Sequence, residues 1–195
     1  MACKDNNVSL VKILADTMGV QLINMQDAEG YSGLIYSCKM GNIEVVDVLL
    51  SHGANVHLKN RYSYDALMYA CELENNERIV ELLLSAGANV NVFNSCKMTP
   101  LCIACKIGAA KTVKLLLKHG AVVDHPHDNG YSPLFLSCIN GNNDIISDLL
   151  IYGANVNRVN AHGYRYATLT HSLNQSLTVS LLVPCYSHVN ADILL

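Results

Sequence analysis

The chain has 195 residues, of which 51% are hydrophobic and 15% are charged, and its formal net charge at pH 7 is -3. This length and apolar content are enough for one sizeable core or one array of repeats. The slight negative charge gives no electrostatic reason to expect binding to nucleic acid.

The two ends of the chain argue against export and membrane insertion. Lys4 and Asp5 interrupt any apolar run at the start, so no signal peptide is predicted. The stretch between Arg165 and Asp192 has no charged residue, but its histidines, its amides and Pro184 disfavour a membrane span. We expect a soluble intracellular protein, in the cytoplasm or the nucleus, with no membrane partner.

A spacing of 33 or 34 residues runs along the chain. The leucine of a Thr-Pro-Leu-like start recurs at Leu34, Leu67, Leu101 and Leu134, and Ala167 takes its place once more. An aliphatic pair follows at Leu49-Leu50, Leu83-Leu84, Leu116-Leu117, Leu149-Leu150 and Leu182-Val183. A Gly-Ala-x-Val turn then begins at Gly53, Gly87, Gly120 and Gly153. Fixed offsets within a constant period predict stacked units, each packed on its neighbours.

The most regular unit shows what each repeat should form. Thr99 can cap a helix, Pro100 suits its first turn, and Gly108 ends it after about two turns. A second helix carries Leu116-Leu117 on its apolar face and ends at His119-Gly120. The predicted fold class is therefore all-α, a solenoid of helix–loop–helix units.

The register divides the chain into a single array. Residues 1–26 are a partial N-terminal repeat, because Ala2-Cys3 matches Ser37-Cys38 and most of the first helix is missing. Full repeats are predicted at residues 27–59, 60–93, 94–126 and 127–159. Residues 160–195 are a degenerate C-terminal capping repeat, in which Pro184 stops the final helix.

The period, the Thr-Pro-Leu start, the leucine pair and the Gly-Ala-x-Val turn together resemble the ankyrin repeat, over nearly the whole chain. The resemblance implies β-hairpin fingers between the units. It also implies a non-catalytic module that binds a protein partner along a concave face made by the fingers and the first helices. No catalytic or phosphate-binding motif appears in the sequence, so we expect no enzyme activity, no cofactor and no small-molecule substrate.

Aromatic residues recur on the face that the family uses for binding. A finger position just ahead of each first-helix cap holds Tyr31, Tyr64, Met98, Tyr131 and Tyr164. A parallel row on the first helices holds Tyr36, Tyr69, Ile103, Leu136 and Leu169. Tyrosine gives a large contact area for few torsions and is enriched in interface hot spots. The alternative is that these rings only pack finger against finger; we favour recognition because of the face they occupy.

The predicted protein-binding residues follow from these rows and their neighbours. The two rows and the nearby Tyr62 contribute Tyr31, Tyr36, Tyr62, Tyr64, Tyr69, Met98, Tyr131 and Tyr164. The first helices add Lys39, Met40, Glu72, Lys106 and Ile107, and the fingers add Arg61, Phe93, His127 and His162.

Five of the eight cysteines share one place in their units, where the ankyrin family usually has alanine. They are Cys3, Cys38, Cys71, Cys105 and Cys138, and we predict that they pack in the core. Cys102 and Cys105 form a lone CxxC, and the first turn of a helix should lower the pKa of the Cys102 thiol. A single CxxC is a weak redox or metal motif. Cys96 and Cys185 have no packing explanation.

One finger carries His125-Pro126-His127-Asp128, which are residue types that bind metals. The set lacks the four ligands of a structural zinc site, so we predict a surface segment and no metal.

Two further functions stay open. The chain could be the substrate-recognition part of a larger ubiquitin ligase or signalling adaptor, which would need a docking segment beyond the few residues after Ile193. It could also be a substrate of an asparaginyl hydroxylase. The resemblance implies this, because Leu83 and Leu149 lie eight residues before Asn91 and Asn157, as in modified ankyrin repeats. The same motif is common in unmodified repeats, where the asparagine is structural.

Overall fold

A computed structural model describes residues 2–3, 5–17, 19–125 and 127–159. The predicted capping repeat at 160–195 lies outside these residues, as do the predictions for His162, Tyr164 and Cys185. The described part contains ten helices and no sheet, which confirms the all-α class. None of these helices is long and apolar enough to cross a membrane.

The helices alternate between two stacks. The first helices of the units are α3 (Gly33–Met40), α5 (Ala66–Cys71), α7 (Pro100–Ile107) and α9 (Pro133–Asn140). The second helices are α4 (Ile43–Ser51), α6 (Glu77–Ser85), α8 (Ala110–Lys118) and α10 (Asn143–Ile151). The N-terminal unit contributes α1 (Val8–Thr17), which packs on α4, and the short α2 (Gly19–Ile23). From α3 to α10, the two helices of a unit contact each other, and each contacts its counterpart in an adjacent complete unit.

Each first helix begins at a side-chain cap, as the sequence predicts. The side-chain oxygens of Ser32, Asp65, Thr99 and Ser132 each accept the backbone N–H three residues further on. Pro100 and Pro133 occupy the first turns of α7 and α9. Three of the helices end at glycines in the left-handed region, of which Gly108 has a φ of 90°. The caps satisfy backbone donors that the helices themselves leave unpaired.

One core runs through the whole stack. The leucines that define the period, Leu34, Leu67, Leu101 and Leu134, are completely buried or nearly so. The cysteines Cys38, Cys71, Cys105 and Cys138 are fully buried beside them, which agrees with a packing role, and Cys3 is half-buried.

The fingers are closed by asparagine and aspartate side chains. A backbone hydrogen bond joins residues 27 and 31, 60 and 64, 94 and 98, and 127 and 131. In the first three fingers, the side-chain oxygen of Asp27, Asn60 or Asn94 accepts the N–H groups two and four residues further on. An isolated β-bridge joins Gln26 and Ser32 at the base of the first finger. The fingers are therefore tight turns closed by one backbone hydrogen bond each, and in the first three the side-chain oxygen adds an Asx turn.

Truncating Leu116 tests whether a leucine covered by units on both sides contributes more to stability than one at the N-terminal unit. It is fully buried in α8, between α6 and α10, so Leu116→Ala should lower the free energy of unfolding by about 2–5 kcal/mol. Leu14 holds the same place in α1 but is 38% exposed, so Leu14→Ala should cost clearly less. Urea unfolding followed by circular dichroism measures both, and equal losses would contradict the stack. The Leu182 site, which the sequence offers for the same comparison, lies outside the described residues.

Asp65 makes stability depend on pH. It caps α5 while almost completely buried, and this burial raises the pKa of its carboxyl to about 6, although the bond from the Met68 N–H acts the other way. A folded-state pKa above the unfolded value means that the folded protein binds the proton more tightly. The stability from this group is therefore present below pH 4 and is lost as the pH rises through about 6.

Replacing Asp65 by serine, the cap used at Ser32 and Ser132, keeps the cap and removes the buried charge. We expect Asp65→Ser to raise the free energy of unfolding by about 1–3 kcal/mol at pH 7.5, and to lose most of that gain near pH 4. The matched control is Glu74→Gln at an exposed acid, which should give no such gain. Urea titrations at both pH values measure the free energy of unfolding. A gain in that free energy that does not change with pH would refute the role of the buried charge.

Candidate functional site

Four tyrosines form one cluster at the first two complete units. The ring of Tyr31 stacks on Tyr36 with centroids 4.9 Å apart and lies 5.8 Å from Tyr69. Tyr64 lies 5.0 Å from Tyr69. The hydroxyls of Tyr31 and Tyr69 are 2.8 Å apart, and the Asn60 side-chain amide donates to the Tyr69 hydroxyl at 2.9 Å. The rings are thus held in fixed orientations before any partner binds.

Charged side chains complete this cluster. The Lys39 ammonium lies 5.1 Å from the centroid of Tyr31 and 5.2 Å from that of Tyr69, within cation–π range of both. The Tyr36 hydroxyl donates to the Asp27 carboxylate at 2.8 Å. Glu72 is half-buried near Lys39, and desolvation raises the pKa of its carboxyl, although a hydrogen bond with Tyr64 lowers it.

A second aromatic group lies at the last described finger. Tyr131 stacks on Phe135 with centroids 4.6 Å apart, and His127 meets Tyr131 edge to face at 5.1 Å. Burial lowers the pKa of His127 below its ordinary value, which favours the neutral ring at pH 7. Sequence reasoning missed Phe135, because it placed the first-helix row one residue later, at Leu136.

The predicted row on the first helices is mostly covered. Tyr69 is only 6% exposed, and Ile103 and Leu136 are also buried. Tyr69 lies beneath the rings of Tyr31 and Tyr64, so it supports the finger tyrosines and is not available for direct contact. This corrects the prediction that Tyr69 belongs to the contact surface.

The other predicted contact residues divide by exposure. Half-buried positions are Tyr31, Tyr36, Tyr64, Glu72, Met98, His127 and Tyr131. Exposed positions are Lys39, Met40, Arg61, Tyr62, Phe93, Lys106 and Ile107. Ile139 is also exposed, and sequence reasoning missed it although it shares its place in the repeat with Lys39, Glu72 and Lys106.

Neighbouring fingers are joined by charged side chains. Arg61 forms an ion pair with Glu29 of the preceding finger, and Lys97 pairs with Asp128 of the following one at 3.2 Å. Lys59 donates to the backbone carbonyl of Phe93 at 3.4 Å and lies 5.9 Å from its ring. These contacts link adjacent fingers beside the exposed rings, although exposed ion pairs add little stability.

The histidine and aspartate side chains of the last described finger each contact a different neighbour. His125 stacks on Phe93, His127 packs on Tyr131, and Asp128 pairs with Lys97. No three His, Cys, Asp or Glu side chains in the described ranges are placed to hold a metal ion.

The predicted low pKa of Cys102 is wrong. Cys102 is buried, and desolvation raises the pKa of its thiol despite the helix start and the hydrogen bonds with Thr99. Burial also raises the pKa of the neighbouring Cys105 thiol. Both thiols of the CxxC are therefore protonated and inaccessible at pH 7, which argues against redox chemistry.

Thiol labelling tests this arrangement. In the native protein Cys96, which is exposed on its finger, should react with iodoacetamide first, while Cys38, Cys71, Cys105 and Cys138 should stay unmodified. Peptide mass spectrometry after short labelling times gives the order. Rapid joint labelling of Cys102 and Cys105 would contradict their burial.

The two asparagines proposed as hydroxylation sites hold the same place in their units. Asn91 bridges two units, donating to the Gly120 carbonyl at 3.1 Å and accepting the Val122 N–H at 2.8 Å. Asn157 is exposed. These hydrogen bonds agree with the alternative that Asn91 has a structural role. Hydroxylation at either residue stays a prediction.

Comparisons with known proteins identify similar repeats along most of the chain. A family model described as ankyrin repeats (3 copies) matches residues 1–94 and again residues 67–160. The chain is also similar to a crystal structure of an ankyrin repeat domain from Acinetobacter baumannii AYE, with 25% sequence identity and a TM-score of 0.87. That match covers 94% of this chain and 95% of the other. A search of curated proteins found no match.

Proposed function

Because the chain belongs to the ankyrin-repeat family, whose members generally bind proteins, we propose that it is a non-catalytic module that binds a protein partner. The proposed contact surface is made by the fingers and the first helices, and we call it the finger surface. Its exposed members are Lys39, Met40, Arg61, Tyr62, Phe93, Lys106 and Ile107.

The observation that carries this proposal is the exposure of two aromatic side chains on fingers where other rings are held in place. Tyr62 and Phe93 are about half exposed, at 52% and 51%, on adjacent fingers. On the same or neighbouring fingers, the half-buried rings of Tyr31, Tyr64 and Tyr131 are held by contacts with other aromatic rings. Aromatic side chains and arginine are enriched in interface cores, and a surface that is already ordered loses little entropy on binding.

The structure separates two kinds of ring for mutagenesis. Tyr64 and Tyr131 pack on Tyr69 and Phe135, so replacing them with alanine removes support from the fold as well as contact area. Tyr62 and Phe93 are the sharper probes, because truncating an exposed ring costs the fold little burial.

We therefore expect the double variant Tyr62→Ala/Phe93→Ala to weaken partner binding by about 2–4 kcal/mol, with little change in melting temperature. The partner is first captured by pull-down and identified by mass spectrometry, and affinities are then measured by calorimetry. The matched control is Ile13→Ala/Ile151→Ala, which removes two exposed apolar side chains from α1 and α10 and should leave binding unchanged. Unchanged affinity in the tyrosine–phenylalanine variant would refute the finger surface.

The identity of the captured partner also tests the wider roles. Recovery of ubiquitin-ligase or signalling subunits would support the adaptor role. Intact-mass measurement after expression with an asparaginyl hydroxylase would show whether Asn91 or Asn157 gains an oxygen atom.

A further inference from the structure

The first helices carry only positive charge, although the net charge of the chain is -3. Helices α3, α5, α7 and α9 contain Lys39 and Lys106 and no acidic residue. The second helices α4, α6, α8 and α10 contain acidic residues in larger number, at Glu44, Asp47, Glu77, Glu81, Asp144 and Asp148. The two stacks therefore differ in charge, and the first helices contribute cations to the finger surface.

The acidic side chains on the described fingers are already used by the fold. Glu29 and Asp128 form ion pairs with basic residues of neighbouring fingers. The Asp27 carboxylate accepts two backbone N–H groups of its own finger and a tyrosine hydroxyl. By contrast, the ammonium groups of Lys39 and Lys106 form no ion pair with any carboxylate of the described residues. These two charges are therefore available to a partner.

Glu72 lies between the two lysines. Lys39, Glu72 and Lys106 hold the same place in three successive units. Desolvation raises the pKa of the Glu72 carboxyl, whereas a hydrogen bond with Tyr64 and the charges of both lysines lower it. Glu72 is half-buried, and both lysines are exposed. One half-buried carboxyl cannot neutralise two exposed ammonium groups, so this part of the surface stays positive.

Exposed aliphatic side chains lie beside these lysines. Met40 and Ile107 directly follow Lys39 and Lys106 in the chain, and they are 52% and 36% exposed. Ile139 holds the place of the lysines in the next unit and is 43% exposed. We call Lys39, Met40, Lys106, Ile107 and Ile139 the basic strip. Its mixture of cations and apolar side chains is complementary to a segment that carries carboxylates and apolar side chains together.

We propose that the basic strip binds an acidic segment of the partner protein, whose carboxylates pair with Lys39 and Lys106 and whose apolar side chains cover Met40 and Ile107. This inference rests on the proposed function and adds the chemistry of the partner. Counterpart helices pack about 8–10 Å apart, so the backbones at the two lysines are about 16–20 Å apart across two units. About five or six residues of extended chain span that distance. One short acidic segment can therefore reach both ammonium groups.

Selection from a random peptide library tests this chemistry before the natural partner is known. Phage-displayed random dodecapeptides are selected on the immobilised full chain, and the enriched peptides are labelled with fluorescein and measured by fluorescence anisotropy. We expect these peptides to combine a net negative charge with apolar residues. Replacing their Asp and Glu by Asn and Gln should weaken binding about tenfold or more. Raising the NaCl concentration from about 50 to about 500 mM should also weaken it, because salt screens exposed charges.

Matched variants of the protein locate the binding. The charge-reversed variant Lys39→Glu/Lys106→Glu should bind the acidic peptides about tenfold or more weakly, whereas Lys39→Arg/Lys106→Arg should bind within about threefold of the native chain. The control Lys12→Glu/Lys118→Glu makes the same change in net charge at exposed lysines of α1 and α8 and should change affinity little. Glu72→Gln should tighten binding, because it removes a like charge between the two lysines. Circular dichroism checks folding, and Lys106→Glu alone replaces the double variant if that variant is unfolded.

The outcomes separate this inference from the proposed function. Enriched peptides that Tyr62→Ala/Phe93→Ala weakens but that are neutral or basic, or that bind the charge-reversed variant normally, would overturn the acidic partner and leave the finger surface in place. Equal weakening in the control variant would assign the effect to overall charge and also overturn it. Self-association that charge reversal abolishes, measured by sedimentation, would assign the strip to a second copy with the same result. If neither double variant weakens any selected peptide, the finger surface itself is refuted.

Discussion

The structure depends on burying one leucine per unit between two stacks of helices. The helices are too short to persist alone, since α3 has eight residues and α4 has nine. Leu34, Leu67, Leu101 and Leu134 are buried only because a second helix and a neighbouring unit close over them. Stability is therefore distributed over the interfaces between helices. Each apolar side chain contributes in proportion to the area that its neighbours bury. Leu10 and Leu14 in α1, which the described residues cover less, are 41% and 38% exposed.

The same constraint determines where polar groups can be buried. Most buried polar side chains in the described units either begin a helix or close a finger, as Ser32, Thr99 and Asn94 do. Asn60 does more than close its finger. Its oxygen accepts two backbone N–H groups, and its nitrogen donates to the hydroxyl of Tyr69. The turn that connects two units is thereby tied to the aromatic cluster, so the geometry of the candidate site follows from the packing of the array.

The sequence predicted the helices, caps and core well, because these repeat at fixed offsets and obey local rules. Thr99, Gly108 and Leu116 could each be assigned from residue type and spacing alone. Burial at the finger–helix contact could not, because it depends on which rings from two units overlap. Tyr69 therefore looked like a contact residue and proved to be covered. The prediction of a low pKa for Cys102 failed for a related reason. The helix start is local and visible in the sequence, whereas the desolvation that raises the pKa comes from the surrounding stack.

The aromatic residues of the fingers are of two kinds: some pack on other rings and order the fingers, and others stay exposed to solvent. Tyr64 and Tyr131 lose much of their area to Tyr69 and Phe135, so they order the fingers whatever else they do. Tyr62 and Phe93 leave about half of their area in water, a cost that folding alone does not require. The fingers thus carry apolar surface that the packing of the described units leaves uncovered, with the charged side chains of Arg61 and Lys59 beside it.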